Sequence, residues 1–255
     1  MDTVKFQRES ISVNGVRVVV LTAGSGEPLV FWHGAGSWHG WDFAAGWLSR
    51  FRVIIPYHPG WGESVDAPEM TTVDDYVLHY LEMFDQMGLK QVNLVGFSMG
   101  GRFAATFAIH HRERVRKLVL VAPAGIHVPE HPMANFSQMA PDEILRHLAH
   151  DFSVIERRLP KTPDPAFFAE RDREGGYFGK LMEKGLVGPW LPRWLHRVNM
   201  PTLIVWGEED RVLPVGQADA WKKLIPQAEV LRVPNAGHLV LDESADAPRA
   251  IADFL

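Results

Sequence analysis

The chain has 255 residues, 46% hydrophobic and 22% charged, which is long enough and apolar enough for one large folded domain. The 26 Lys and Arg against 31 Asp and Glu give a net charge of −5, so no general attraction to nucleic acid or to an anionic membrane is expected. The absence of cysteine excludes disulfides, thiolate metal sites and a cysteine nucleophile. Without cysteine or an apolar leader, we expect a cytoplasmic location.

The first predicted elements are two strands, 4–12 and 16–22, which flank Asn14-Gly15, a dipeptide typical of a tight hairpin turn. After them, short apolar runs alternate with longer amphipathic segments, which predicts an α/β fold with a mostly parallel sheet flanked by helices. Each strand of such a sheet is continuously apolar because helices cover both faces. The runs predicted as strands are 29–32, 53–55, 92–95, 118–122, 203–206 and 230–233. The segments predicted as helices are 41–48, 73–87, 100–111, 215–224 and 245–254.

This alternation stops over residues 124–197, where short helix-like pieces, prolines and large apolar side chains follow one another without a clear strand. The segment is far too long for an ordinary loop. Open sheets bind ligands at the carboxyl ends of their strands, where this insertion emerges, so we expect a helical lid over a pocket. The predicted division is a core of residues 1–123 and 198–255 and a cap of residues 124–197.

A Gly-x-Ser-x-Gly pattern, Gly96 to Gly100, lies between a predicted strand and a predicted helix. In this context the pattern predicts a sharp turn that lifts the hydroxyl of Ser98 clear of the sheet. The two glycines let the strand and the helix pass close together, and the helix N-terminus favours developing negative charge. Ser98 is therefore the candidate nucleophile.

A serine hydroxyl needs a base to take its proton, and that base needs a carboxylate to orient it. His238 follows the last predicted strand, and Asp210 follows the strand before it. The chain order Ser98, Asp210, His238 is the order of one class of serine hydrolases. Glu208 and Glu209 lie near enough in sequence to compete with Asp210. Asp242 is closer to His238 but is expected to begin the last helix.

The predicted strand 29–32 runs into a glycine-rich bend that contains Ala35. The backbone N–H groups of Ala35 and Met99 are expected to converge above Ser98 as an oxyanion hole. Each such donor is typically worth about 3–4 kcal/mol in the transition state. His33, at the start of the bend, is expected to brace this loop structurally.

Five features together resemble the α/β-hydrolase superfamily: His33-Gly34, the Pro59-to-Ser64 turn, the turn around Ser98, the acid turn 207–210 and Gly237-His238. The resemblance implies an eight-stranded sheet with a cap inserted after the sixth strand, which matches the interruption at 124–197. Members usually carry Asp two residues before the Pro-Gly-x-Gly turn, whereas this chain has Tyr57. That position is structural, so the departure does not put catalysis in doubt.

Within this superfamily, haloalkane dehalogenases and epoxide hydrolases carry Asp where this chain has Ser98, so Ser98 argues against both classes. The classes that remain compatible with a serine nucleophile are carboxylesterases, lipase-like enzymes, cofactor-free haloperoxidases and carbon–carbon bond hydrolases of ring-cleavage products. The segment 118–125 somewhat resembles the last group, but those enzymes usually extend the oxyanion loop with Gly-Pro-Gly and place Trp soon after the histidine. Here Ser37-Trp38 and Leu239-Val240 stand at those places. We therefore expect a serine hydrolase that cleaves a small, largely apolar carboxylic ester.

The alternative is a carbon–carbon bond hydrolase acting on a ring-cleavage dienone, and a rival from another class is a hydrolase-fold protein that only binds a ligand. The resemblance implies no metal or organic cofactor. The expected partner is a small-molecule substrate, with no nucleic acid and no membrane, while the oligomeric state is left open. Four aromatic residues are candidates for lining the pocket, although each type is also common in a core: Trp38, Trp41, Phe136 and Trp190.

Overall fold

One sheet of eight strands forms the centre of the computed structural model, which describes residues 4–37 and 40–255, apart from the Ser137 side chain. The strands are β1 (Gln7–Val13), β2 (Val16–Ala23), β3 (Glu27–Trp32), β4 (Phe51–Pro56), β5 (Val92–Phe97), β6 (Val115–Val121), β7 (Thr202–Gly207) and β8 (Glu229–Val233). Their order in the sheet is β1-β2-β4-β3-β5-β6-β7-β8. β2 pairs antiparallel with β1 and β4, and all other neighbours are parallel. The predicted α/β fold is confirmed.

Helices flank this sheet and fill the long insertion between β6 and β7. In the described residues they are α1 (Val73–Gln86), α2 (Met99–His110), α3 (Pro141–Leu148), α4 (Ser153–Glu156), α5 (Pro165–Glu183), α6 (Gln217–Leu224), α7 (Val240–Glu243) and α8 (Asp246–Phe254). None of these helices is both long enough and apolar enough to cross a membrane.

The local sequence explains the edge hairpin and the central strands. Asn14 and Gly15 both have positive φ, 49° and 85°, as the tight turn between β1 and β2 requires. Every residue of β5 and β7 is buried, because helices cover both faces of the parallel part of the sheet. The carboxyl ends of these two strands lead directly to Ser98 and to the acid turn.

The segment 41–48, predicted as a helix, is a 3₁₀-helix over Asp42–Trp47. A 3₁₀-helix has three residues per turn, so residues 41, 44 and 47 fall on one face. Trp41, Ala44 and Trp47 are all buried in the core, which favours the tighter winding. The expectation that Asp242 begins the last helix is wrong, because Asp242 lies in the separate short helix α7.

Residues 124–197, called the cap below, contain α3, α4 and α5 with short 3₁₀-helices and, in the part that the structure describes, no strand. The cap packs on the core through Tyr177. The Tyr177 ring lies 5.3 Å from that of Trp61, and its hydroxyl accepts the backbone N–H of Ala67 at 2.7 Å. These contacts hold α5 against the loops at the carboxyl edge of the sheet.

Candidate active site

Ser98 occupies a strained turn between β5 and α2. Its backbone angles are φ 52° and ψ −114°, a conformation that costs an L-residue about 1–3 kcal/mol. The Ser98 N–H donates to the carbonyl of Val121 at 2.9 Å, and the Ser98 carbonyl accepts the N–H of Ala124 at 3.0 Å. The carboxyl end of β6 therefore holds the strained residue in place from one side.

Glycine is required around this turn because backbones approach closely there. A Cβ on Gly100 would lie 2.2 Å from the carbonyl oxygen of Trp32, and one on Gly96 would lie 2.5 Å from the carbonyl oxygen of Gly100. Real Cβ atoms do not come so close to a carbonyl oxygen. Gly96 thus lets the start of α2 pass close to β5, as the sequence pattern predicts, and Gly100 lets it lie over the end of β3.

His238 lies in the loop between β8 and α7, and its imidazole joins the other two predicted residues. Its Nε2 is 3.0 Å from Ser98 Oγ, and its Nδ1 is 2.8 Å from Asp210 Oδ2. The side chain is 4% exposed, and its ring packs on Phe97 with centroids 5.0 Å apart. With Nδ1–H donated to the carboxylate, Nε2 can accept the serine proton.

The carboxylate of Asp210 is fully buried and both of its oxygens are hydrogen-bonded. Besides the contact of Oδ2 with His238, Oδ1 accepts the backbone N–H groups of Val212 at 2.8 Å and Leu213 at 2.9 Å. These bonds offset the desolvation of a buried charge and fix its direction. Among the competing acids, Glu208 and Glu209 are exposed, and Asp242 pairs with Arg158 at 2.8 Å.

The two predicted oxyanion donors flank Ser98. Met99 is the first residue of α2, so its N–H is one of the four that find no acceptor within the helix. Ala35 borders the same cavity as Ser98, and its carbonyl accepts the indole N–H of Trp61 at 2.8 Å. A Cβ on Gly34 would lie 3.3 Å from the Cβ of Ser98, so the bend packs directly against the serine.

His33 is buried at the start of this bend and pairs with His58. The backbone N–H of His58 donates to His33 Nε2 at 3.1 Å, and the carbonyl of His33 lies 2.8 Å from His58 Nε2. Burial lowers the pKa of His58 to about 3, so its ring is neutral at physiological pH. His33 thus has the contacts expected of a brace for the loop.

A cavity of about 280 Å³ opens above Ser98 and His238. The core contributes the bend around Ala35, and the cap contributes most of the apolar wall. The larger apolar cap side chains are Met133, Phe136, Ile144, Leu145, Leu148 and Phe178. The lining of the cavity therefore combines the catalytic candidates with apolar side chains of the cap.

Of the four aromatic residues predicted to line a pocket, the structure places Phe136 in this wall. Trp41 packs instead in the core, with its ring centroid 5.9 Å from that of Phe31. Trp190 stacks on His110, the last residue of α2, 5.7 Å between centroids. Neither tryptophan borders the cavity, so the expectation for these two is corrected, while Trp38 lies outside the described residues.

Two charged cap residues that no sequence pattern indicated, Arg171 and Glu174, also line the cavity. Their side chains form an ion pair one helical turn apart in α5, with Arg171 Nη1 3.1 Å from Glu174 Oε2. Burial raises the pKa of Glu174, against the lowering effect of Arg171 and of its hydrogen bonds. Neither residue belongs to a sequence motif. The surrounding helix carries many charges of both signs, so these two do not stand out in the sequence.

The described residues contain no group of three or more His, Asp or Glu side chains arranged to hold a metal ion. What the site offers is a hydroxyl, an imidazole and a carboxylate in one hydrogen-bonded chain, next to a largely apolar cavity. Such an arrangement is suited to nucleophilic attack on a carbonyl group.

The fold and this site define a hydrolase. A family model for the alpha/beta hydrolase family matches residues 29–254, and the chain belongs to that family. It is 28% identical, over 94% of its own length and 91% of the relative, to the 2-hydroxy-6-oxononadienedioate/2-hydroxy-6-oxononatrienedioate hydrolase of Paraburkholderia phymatum. It is also 28% identical to Lipase 1 of Psychrobacter immobilis, over 91% of the chain and 78% of the lipase.

Among solved structures, the chain is similar to a serine hydrolase involved in carbazole degradation, the CarC enzyme. The TM-score is 0.79 at 25% identity, with 98% of each chain covered. The resemblance to α/β hydrolases predicted from the sequence is thereby confirmed, and the protein is an enzyme of the hydrolase class.

Proposed function

We propose that the protein is a serine hydrolase that cleaves small, largely apolar carboxylic esters through an acyl-enzyme. One observation carries the proposal: the hydrogen-bonded chain of Ser98, His238 and Asp210 opens into an apolar cavity. In this proposal Ser98 is the nucleophile, His238 the base and Asp210 the orienting carboxylate.

In the first half-reaction, Ser98 Oγ attacks the ester carbonyl as its proton passes to His238 Nε2. The N–H groups of Ala35 and Met99 bind the oxyanion of the tetrahedral intermediate. The ester C–O bond then breaks, and His238 gives the proton to the departing alcohol. In the second half, water attacks the acyl-enzyme with His238 again as base, which releases the acid and restores Ser98.

Size and polarity of the cavity support a small, neutral substrate. Its volume of about 280 Å³ is at the lower end of ligand pockets, which typically measure about 300–1,000 Å³. Among the described residues that line it, the one carboxylate, Glu174, is paired with the one guanidinium, Arg171. An anionic substrate would therefore meet a neutralised cation and a buried carboxylate.

The second candidate is the cleavage of a carbon–carbon bond in a ring-cleavage dienone. It is supported by relatives such as the 2-hydroxymuconate semialdehyde hydrolase of a Pseudomonas species, 27% identical over 97% of the chain. The paired Arg171 and the absence of the further Gly-Pro-Gly in the oxyanion loop favour the ester over this dienone acid. The same cap would serve as the lid in both cases.

A panel of p-nitrophenyl esters of graded acyl length, together with one ring-cleavage dienone, tests the proposal. We expect multiple turnovers on short and medium esters, with kcat/KM well above that on the dienone, and loss of both activities in Ser98→Ala. Preferential turnover of the dienone would favour the second candidate. Binding of these compounds without turnover would contradict both and support the ligand-binding rival.

A further inference from the structure

Glu174 in α5 of the cap contacts two separate loops of the core. Ser37 donates its hydroxyl to Oε1 in a short hydrogen bond and its backbone N–H to Oε2 at 3.3 Å. Gly62 donates its backbone N–H to Oε1 at 3.1 Å. The Glu174 side chain is only 2% exposed. One buried carboxylate thus joins the cap to the loop after β3 and to the loop after β4.

Ser37 lies at the far end of the bend that carries Ala35. The bend contains two glycines, Gly34 and Gly36, which have no side chains to interlock with neighbouring elements. Its position therefore depends on the indole N–H of Trp61, which donates to the Ala35 carbonyl at 2.8 Å, and on what holds its two ends. His33 is held at the first end by the core, and Ser37 is held at the second end by Glu174 of the cap.

The charge of Glu174 makes this contact strong. Arg171 contributes an Nη2–H bond to Oε1 at 3.2 Å and an Nη1 contact with Oε2 at 3.1 Å. Hydrogen bonds to an ionised acceptor are roughly twice as strong as neutral ones. If the carboxylate were lost, the buried N–H of Ser37 and the half-buried N–H of Gly62 would lack their acceptor, which is costly enough to shift the loops.

We infer that Glu174 is a positioning residue for the oxyanion hole, because it fixes Ser37 and thereby the Ala35 N–H when the cap is docked. The inference rests on the proposed function, in which Ala35 stabilises the transition state. Glu174 also lines the cavity, so a bound substrate reaches the same side chain that joins the cap to the core.

Glu174→Gln tests this inference, with Glu170→Gln as the matched control. Glu170 lies in the same helix and pairs with the same Arg171 at 3.0 Å, but its side chain is 35% exposed. In Glu174→Gln we expect kcat for a p-nitrophenyl ester to fall about 10- to 100-fold with little change in KM, since oxyanion stabilisation acts in the transition state. Affinity for an alkyl boronic acid, which forms a tetrahedral adduct with the serine, should fall in parallel. Glu170→Gln should keep the wild-type kcat.

A double-mutant cycle with Ser37→Ala separates positioning from a merely structural role. If Glu174 acts through Ser37, the double variant loses little more kcat than Glu174→Gln alone, because both changes break one linkage. Ser37→Ala leaves the ion pair of the cap intact, so it measures the linkage even if Glu174→Gln does not fold. Fully additive losses, an unchanged kcat in Ser37→Ala, or equal losses in Glu174→Gln and Glu170→Gln would overturn the inference. Failure of the proposed function itself can be distinguished from failure of this inference, because the wild-type protein would then show no ester turnover.

Discussion

Leu239 donates its backbone N–H to the carbonyl oxygen of Leu148 over 2.9 Å, so the residue that follows His238 is tied to the cap. Beside this bond, Arg211 Nη2 donates to the carbonyl of Ala149 at 2.5 Å. The end of α3 is therefore fastened to two loops at the carboxyl edge of the sheet. Through these contacts the cap borders the proposed base directly.

The residue before His238 is constrained in the same way. Gly237 donates its N–H to Glu243 Oε2 at 2.7 Å, and the other oxygen of that carboxylate accepts the N–H of Asp151 in the cap at 2.7 Å. A Cβ on Gly237 would lie 2.6 Å from the backbone nitrogen of His150. There is no room for a side chain between the loop and the cap.

We predict that Gly237→Ala lowers kcat at least about tenfold, because the new methyl group must push His238 or the cap from its position. A displacement of 1 Å can reduce a rate by about a hundredfold. Gly179→Ala is the control: it lies in α5 with nothing within 4 Å of the added Cβ. That variant should keep the wild-type kcat and gain about 0.5–1 kcal/mol of stability. Equal kcat values in steady-state ester assays of the two variants would contradict the prediction.

Asp210→Asn should lower kcat by about 10³- to 10⁴-fold, because the amide removes the charge that stabilises the imidazolium and can favour the wrong tautomer of His238. Asp242→Asn is the matched control, since Asp242 is another buried acid near the same loop but pairs with Arg158. We expect it to lower thermal stability and to change kcat far less. Steady-state kinetics of the two folded variants decide the assignment, and the reverse pattern would refute it.

The preference for substrate size should change when Phe136 is truncated but not when Trp190 is, because of these two residues only Phe136 borders the cavity. In Phe136→Ala the kcat/KM ratio of longer to shorter acyl esters should rise about tenfold, as one methylene in an apolar pocket is worth about 1–3 kcal/mol. Trp190→Ala should leave this ratio unchanged. Equal shifts in both variants would show that the cap acts on specificity only through its general stability.

Two histidines buried in neutral form should make stability fall as pH decreases below about 6.5. Asp242 opposes part of this loss, because burial raises its pKa to about 7 and the folded chain then binds a proton there that the unfolded chain does not. Burial lowers the pKa of His58 to about 3 and that of His79 to about 4. Between these values and pH 6.5 the unfolded chain binds protons that the folded chain does not, which costs about 1.4 kcal/mol per pH unit for each group. Urea unfolding at pH 7.5 and 5.5 measures this loss. His58→Gln should lessen the slope, whereas His147→Gln, at a partly exposed position, should keep it.

Much of the core could be predicted because its signals are local. The glycines around Ser98, the Asn14-Gly15 turn and the largely apolar strands each specify their conformation within a few residues. His238 and Asp210 could be found because each follows a predicted strand, and parallel strands bring their carboxyl ends together.

The arrangement of the cap could not be predicted in the same way. Whether Trp190 or Phe136 faces the cavity depends on how α3 and α5 rest on the core, and that follows from distant contacts such as that of Tyr177 with Trp61. Glu174 was missed for the same reason, since its partner Ser37 lies 137 residues away in sequence. The tighter winding near Trp41 likewise reflects core packing and not local propensity.

The central claim is that Ser98 is a covalent nucleophile, and labelling of the native protein with a fluorophosphonate tests it most directly. Peptide mass spectrometry should locate one phosphonyl group per chain on Ser98, and the loss of ester turnover should follow the labelled fraction. Ser98→Ala should remain folded, unlabelled and inactive. Labelling of a different residue with Ser98 unmodified, or ester turnover retained in Ser98→Ala, would contradict the account.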